Sequence, residues 1–117
     1  NSDGVETVSE FFNWQTARKI CDTYEQGKAV IANNVLAHVD EVVNFLQGCR
    51  ELLTTDGLVI IEVPYLQELL HRLEFDTIYH EHLCYFSVTA LLRLCKIVKL
   101  SIIRIERKPV HGGSLRI

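Results

Sequence analysis

The sequence predicts an α/β fold: a parallel sheet with helices on both faces and an antiparallel strand pair closing one edge. Two short apolar, β-favouring runs, residues 28–33 and 58–63, flank a helical pattern, and a strand, helix and strand in such tight succession form a right-handed crossover with parallel strands. Farther on, the alternating stretch 100–108 is followed by Pro109, by Gly112-Gly113 and by a last strand from Ser114 onward. That is a hairpin pattern, so the closing pair is antiparallel.

Taken in order, residues 7–12 read as a strand end. Asn13 caps a helix carrying Trp14, Ala17, Ile20, Cys21 and Tyr24 at helical spacing, with Gly27 as its stop. Residues 28–33 read as a buried parallel strand ended by Asn33-Asn34. Asp40 caps the next helix, whose apolar face is Val42, Val43, Leu46, Cys49, Leu52 and Leu53 and whose end is Asp56-Gly57. The second strand, 58–63, closes at Pro64. A helical stretch, 65–73, leads into residues 75–87, and Ser87 caps a further helix bearing Leu91, Leu92, Cys95 and Val98. Lys99 stands where a helix-ending glycine is expected, a cost of about 1 kcal/mol for a left-handed residue. Gly112-Gly113 precedes no helix and so is a hairpin turn, not a phosphate loop.

With 117 residues, 48% of them hydrophobic, the chain has room for one domain and one core. No apolar run approaches the roughly 20 residues of a membrane span, and the expected location is cytoplasmic. The four cysteines contain no CxxC pair and read as reduced core residues. A formal net charge of −3 argues against nucleic acid as a partner. The charge is uneven: residues 1–92 carry −9 and residues 93–117 carry +6. Solvated faces of the closing strands and their helix account for this. The chain has no methionine, begins at Asn1 and stops within a strand pattern, as an internal piece of a longer protein would.

Chemistry concentrates in residues 75–87, FDTIYHEHLCYFS. Ligands of open α/β sheets bind beyond the carboxyl ends of the strands. One such end runs into Asn33, Asn34 and His38, and the other into Glu62-Val63-Pro64-Tyr65. The 75–87 loop can fold over the same crevice, bringing His38, Tyr79, Glu81 and His82 together. Histidine titrates near neutrality, with an ordinary pKa of about 6.5, a carboxylate can orient its ring, and a tyrosine can hydrogen-bond a developing oxyanion. A metal site is the second reading: His80 and His82, two apart in an extended segment, would point the same way, with Glu81, Cys84 or His111 completing a shell. No HExxH or paired CxxC supports it. His71 reads as a surface residue.

ANNVLAHV at 32–39, DGLVIIEVPYL at 56–66, FDTIYHEHLCYFS at 75–87 and VHGGSLR at 110–116 together resemble the S-adenosylmethionine-dependent C-methyltransferases that act on nucleotide-linked keto-sugars. The resemblance implies a partial Rossmann-like methyltransferase sheet, with residues 1–117 as the C-terminal part of one incomplete domain. It implies that His82 removes the proton beside the sugar ketone, that Glu81 and Tyr79 support it, and that His38 hydrogen-bonds the substrate. Asn33, Asn34, Phe11 and Phe12 fall on the S-adenosylmethionine side, and the chemistry needs no metal. The family's first strand, its glycine loop and the acidic residue for the cofactor ribose have no counterpart in residues 1–117, so the chain alone is expected to bind cofactor poorly. Two alternatives stand beside this reading. One is a metal-dependent enzyme built on His80 and His82; the other is a non-catalytic domain that self-associates through an exposed sheet edge.

Overall fold

Asn13 opens the first helix as its side chain predicts. Its carboxamide oxygen accepts from the Thr16 amide at 2.9 Å, satisfying one of the free donors at a helix start, and α1 runs Trp14–Thr23. The computed structural model describes residues 4–110 and 112–117. Residues 7–12 form no strand. Phe12 instead packs edge-on against Phe45, with ring centroids 5.2 Å apart, and this contact docks the segment onto α2 (Val42–Glu51). Gly27 is not the stop of α1. The helix ends at an extended Tyr24, and Gly27 is the first residue of β1 (Gly27–Asn33), its amide donating to the Leu52 carbonyl at 2.8 Å.

Two boundaries of α2 also differ from expectation. Its N-cap is Glu41 rather than Asp40, with no side-chain cap bond. It finishes before Asp56-Gly57, because β2 (Leu53–Pro64) begins two residues after the last helical one. The cause is a register shift: Gly27 pairs with Leu53 but Ala29 with Leu58, and the surplus residues of β2 are absorbed between these pairs. Asp56 then serves this irregular stretch, accepting from Lys28 Nζ at 3.0 Å and Thr54 Oγ1 at 2.9 Å.

β1 and β2 are parallel, as the crossover predicts. After β2 come α3 (Leu66–Arg72), the 75–87 loop and α4 (Val88–Ile97), whose Ser87 cap accepts from the Ala90 amide at 3.2 Å. Lys99 is left-handed at φ 59°, the conformation expected of a glycine there. The closing pair β3 (Glu106–Lys108) and β4 (Ser114–Arg116) is antiparallel, and the sheet order is β1-β2-β4-β3. Of the stretch 100–108 only its last three residues are strand, because β4 pairs with those alone.

The core lies on one face of the sheet, where Ile61, Val63 and Leu115 meet Phe45, Leu46 and Cys49 of α2 and Leu91 of α4. β1 is not the buried strand its composition suggests. Among the described residues it is an edge strand, only its Ala32 is buried, and Ile31 on the opposite face is 65% exposed. Across the sheet, the guanidinium of Arg116 grips the buried carboxylate of Glu62 at 2.8 and 3.0 Å. Arg104 and Lys108 pair with Glu106 and Arg107 with Glu68, so several of the C-terminal cations face carboxylates. All four cysteines are free, and burial pushes the Cys49 thiol up to about 12. No helix among the described residues is long and apolar enough to cross a membrane.

Candidate active site

Two carbonyls, those of Ala37 and Phe86, bring the two strand ends and the loop together. Beyond β1 the chain makes a 3-10 turn, Leu36–His38, with Leu36 and Ala37 buried beneath it. The Ala37 carbonyl accepts from both the Leu83 amide, at 2.8 Å, and the Cys84 amide, at 3.2 Å. At the other end of the loop, the Phe86 carbonyl accepts from the Leu66 amide at 3.0 Å, beside the end of β2. The loop is thereby folded over the carboxyl ends of both strands. His38 and His82, 44 positions apart in sequence, come to rest with ring centroids 4.8 Å apart.

Both nitrogens of His82 are engaged. Nδ1 lies 2.8 Å from the Thr77 carbonyl, and Nε2 lies 3.0 Å from the Tyr79 hydroxyl. A carbonyl oxygen can only accept, so Nδ1 carries the proton, and in the neutral ring Nε2 presents its lone pair and accepts from Tyr79. The Thr77 carbonyl is itself aimed by a 3-10 turn, Phe75–Thr77, in which the Glu74 carbonyl accepts from Thr77 Oγ1 at 2.8 Å and from the Thr77 amide at 3.2 Å. Tyr79 stacks at 4.2 Å from the His82 ring, and Tyr85 stands edge-on to it at 6.0 Å. The result is an oriented imidazole with a defined basic nitrogen, a hydroxyl upon it and a second imidazole alongside. Such a group can take a proton at Nε2 and hold the resulting charge.

Residues 7–104 match the family described as Methyltransferase domain. The chain belongs to that family. It is also 37% identical over 115 residues, 98% of its own length, to the C-methyltransferase NovU of Streptomyces niveus, and it spans 27% of that relative.

The remaining sequence-predicted residues of this methyltransferase domain are placed as follows. Glu81 is exposed, and its Oε1 lies 3.9 Å from Nε2 of His80 rather than against His82. The His80 side chain is 91% exposed. His80 and His82 do not converge, and among the described residues no group of three His, Cys, Asp or Glu side chains is placed to hold a metal. His111 lies outside the described residues. Asn33 is exposed at the end of β1, and Asn34 beside it is left-handed at φ 54° with Oδ1 buried and unpartnered among the described residues. A left-handed asparagine with an orphaned acceptor at a strand's carboxyl end suits ligand contact. Phe12 is committed to Phe45, while Phe11 is 95% exposed. The structure thus joins Tyr79, His82 and His38, and leaves Glu81, Phe11 and Phe12 outside that cluster.

Two members of the cluster, Thr77 and Tyr85, carry no signal of their own in the sequence. Thr77 acts through its carbonyl, which every residue possesses, and Tyr85 reaches it only because the loop turns back on itself. The glycine pair plays a supporting part. The Gly113 carbonyl accepts from the Tyr65 amide at 3.0 Å, and the Gly112 carbonyl from Arg72 Nη1 at 2.8 Å, so the turn braces α3 immediately before the loop. At φ 142°, with a Cβ that would fall 2.7 Å from Glu68 Cγ, position 113 accommodates only glycine.

Proposed function

We propose that this chain is the acceptor-side part of an S-adenosylmethionine-dependent C-methyltransferase whose substrate is a nucleotide-linked keto-sugar. The observation that carries the reading is the state of His82, which has its proton on Nδ1 against Thr77 and its lone pair on Nε2. Nε2 takes the proton from the carbon beside the ketone, and the C–H electron pair moves into the enolate. The substrate displaces the Tyr79 hydroxyl from Nε2, which frees it to donate to the enolate oxygen. His38, whose ring lies beside His82, donates to the same substrate, and Glu81, on the exposed surface of the loop, supports the segment that carries the base. S-adenosylmethionine, when bound, supplies the electrophilic methyl group. Asn34, with its unpartnered Oδ1, together with Asn33, Phe11 and Phe12, is assigned to its side. The open outer edge of β1 is assigned to the rest of the methyltransferase sheet and, in the isolated chain, to self-association.

The test is transfer of labelled methyl to a panel of nucleotide-linked keto-sugars by the chain joined to a cofactor-binding half. His82→Ala is expected to lose about 10²- to 10⁴-fold in rate while cofactor binding persists. Undiminished transfer in that variant would remove His82 as the base. If the parent binds cofactor and methylates no keto-sugar, the substrate class is wrong.

A further inference from the structure

We infer that Tyr85 is a positioning residue, whose hydroxyl, acting through the Thr77 carbonyl, holds His82 in the tautomer with its proton on Nδ1. The inference rests on the reading of His82 as the base. Thr77 O has two lone pairs and two donors: His82 Nδ1 at 2.8 Å and the Tyr85 hydroxyl at 3.2 Å. The residue is anchored by its amide and hydroxyl, which both donate to Glu74 O, and the peptide that carries the carbonyl is held by the Ile78 amide, which donates to Phe75 O at 3.1 Å, so Thr77 O does not readily follow the imidazole if the ring rotates. The second donor limits the remaining freedom, because a carbonyl shared between two fixed groups has one orientation that serves both.

The ring of Tyr85 adds a wall. It stands perpendicular to His82 with its centroid 6.0 Å away, while Tyr79 lies on the ring at 4.2 Å. A flip of the imidazole would place a carbon against Thr77 O and forfeit both ring hydrogen bonds. The opposite tautomer in the same orientation would set a bare nitrogen against a carbonyl oxygen, two acceptors face to face. The Tyr85 hydroxyl penalises both by keeping Thr77 O in line with Nδ1. Its role is therefore separable from that of Tyr79, which meets Nε2, the atom that takes the proton.

Tyr85→Phe tests this, because it removes the hydroxyl and keeps the ring. The readout is the ¹⁵N spectrum of His82 in the histidine-labelled protein at a pH where the ring is neutral. Nδ1 is expected to be the protonated nitrogen in the parent and to share its proton with Nε2 in the variant, by a factor of about five to ten for the loss of one hydrogen bond. In the cofactor-complete protein kcat should fall by a similar factor with KM within about twofold, and Tyr85→Leu should fall no less. An unchanged tautomer in Tyr85→Phe overturns the inference, as does a shifted tautomer with unchanged kcat. If the parent transfers no methyl group, the spectrum still decides the tautomer, so failure of the functional reading and failure of this one are told apart.

Discussion

The sheet with its two packed helices and the 75–87 loop are held by different means. In the first, Val63, Leu115, Leu46 and Leu91 are each at most 1% exposed, and Val63 and Leu115 are direct partners in the antiparallel ladder of β2 and β4. Many small apolar contacts share the work, and no single one decides the geometry. In the loop, Tyr79, His80, Glu81 and Leu83 are exposed, and the arrangement depends on two carbonyls with two donors each. Ala37 O fastens the loop to the 3-10 turn, and Thr77 O aims His82. The frame is redundant and the site is not. A chemical group built on a few directed hydrogen bonds can be exposed to substrate and still be oriented, whereas a group oriented by packing would have to be buried.

The comparison is broken most forcefully from the side of the frame. Leu46→Ala should cost about 2–5 kcal/mol of unfolding free energy in urea denaturation, while the His82 tautomer in the folded fraction stays that of the parent. A change of tautomer at equal helix content would mean that the core and the loop are one unit. Next in size is Gly113→Ala, between the two regions. Its strained φ and the contact with Glu68 predict a loss of about 1–3 kcal/mol, together with faster hydrogen exchange at the Tyr65 amide, which bonds to Gly113 O. Exchange unchanged at Tyr65 would show that the turn does not brace α3.

The smallest effect, per unit of pH, separates the two regions by titration. Burial raises the Cys49 thiol to about 12 in the folded chain, against roughly 8.5 in an unfolded one. The raised group contributes stability that is intact below the unfolded value and is lost as pH climbs toward the folded one, because the unfolded chain then binds fewer protons. The decline is at most about 1.4 kcal/mol per pH unit across that window. Cys49→Ala should remove that part of the slope, and an identical slope in the variant would show that the thiol does not contribute to it. At pH 8 the same burial should leave Cys49 unalkylated by iodoacetamide while Cys84, half-buried in the loop, is labelled.

Much of the frame could be read from side chains alone. Asn13 and Ser87 cap the helices they were expected to cap, because a short polar oxygen before an apolar period has few other uses. The parallel pair and the antiparallel closing hairpin followed from the spacing of apolar runs and from Gly112-Gly113. Element ends were less readable. Leu52 and Leu53 suit a helix face as well as a strand, and only the pairing of Leu53 with Gly27 assigns Leu53 to β2. The position of β1 is not legible in its side chains, because an apolar strand looks the same at the edge of a sheet as at its centre.

At the site, the sequence by itself determined which chemistry is available: two imidazoles, a phenol and a carboxylate within reach of strand ends. Tertiary structure decided which of them meet. It set His82 against Thr77 and Tyr79, placed His38 beside it, and turned Glu81 and His80 outward. The physical reason is that the deciding partners, the carbonyls of Ala37 and Thr77, belong to the backbone. Every residue carries a carbonyl, so its use as an acceptor leaves no mark in the sequence and appears only when the chain has folded.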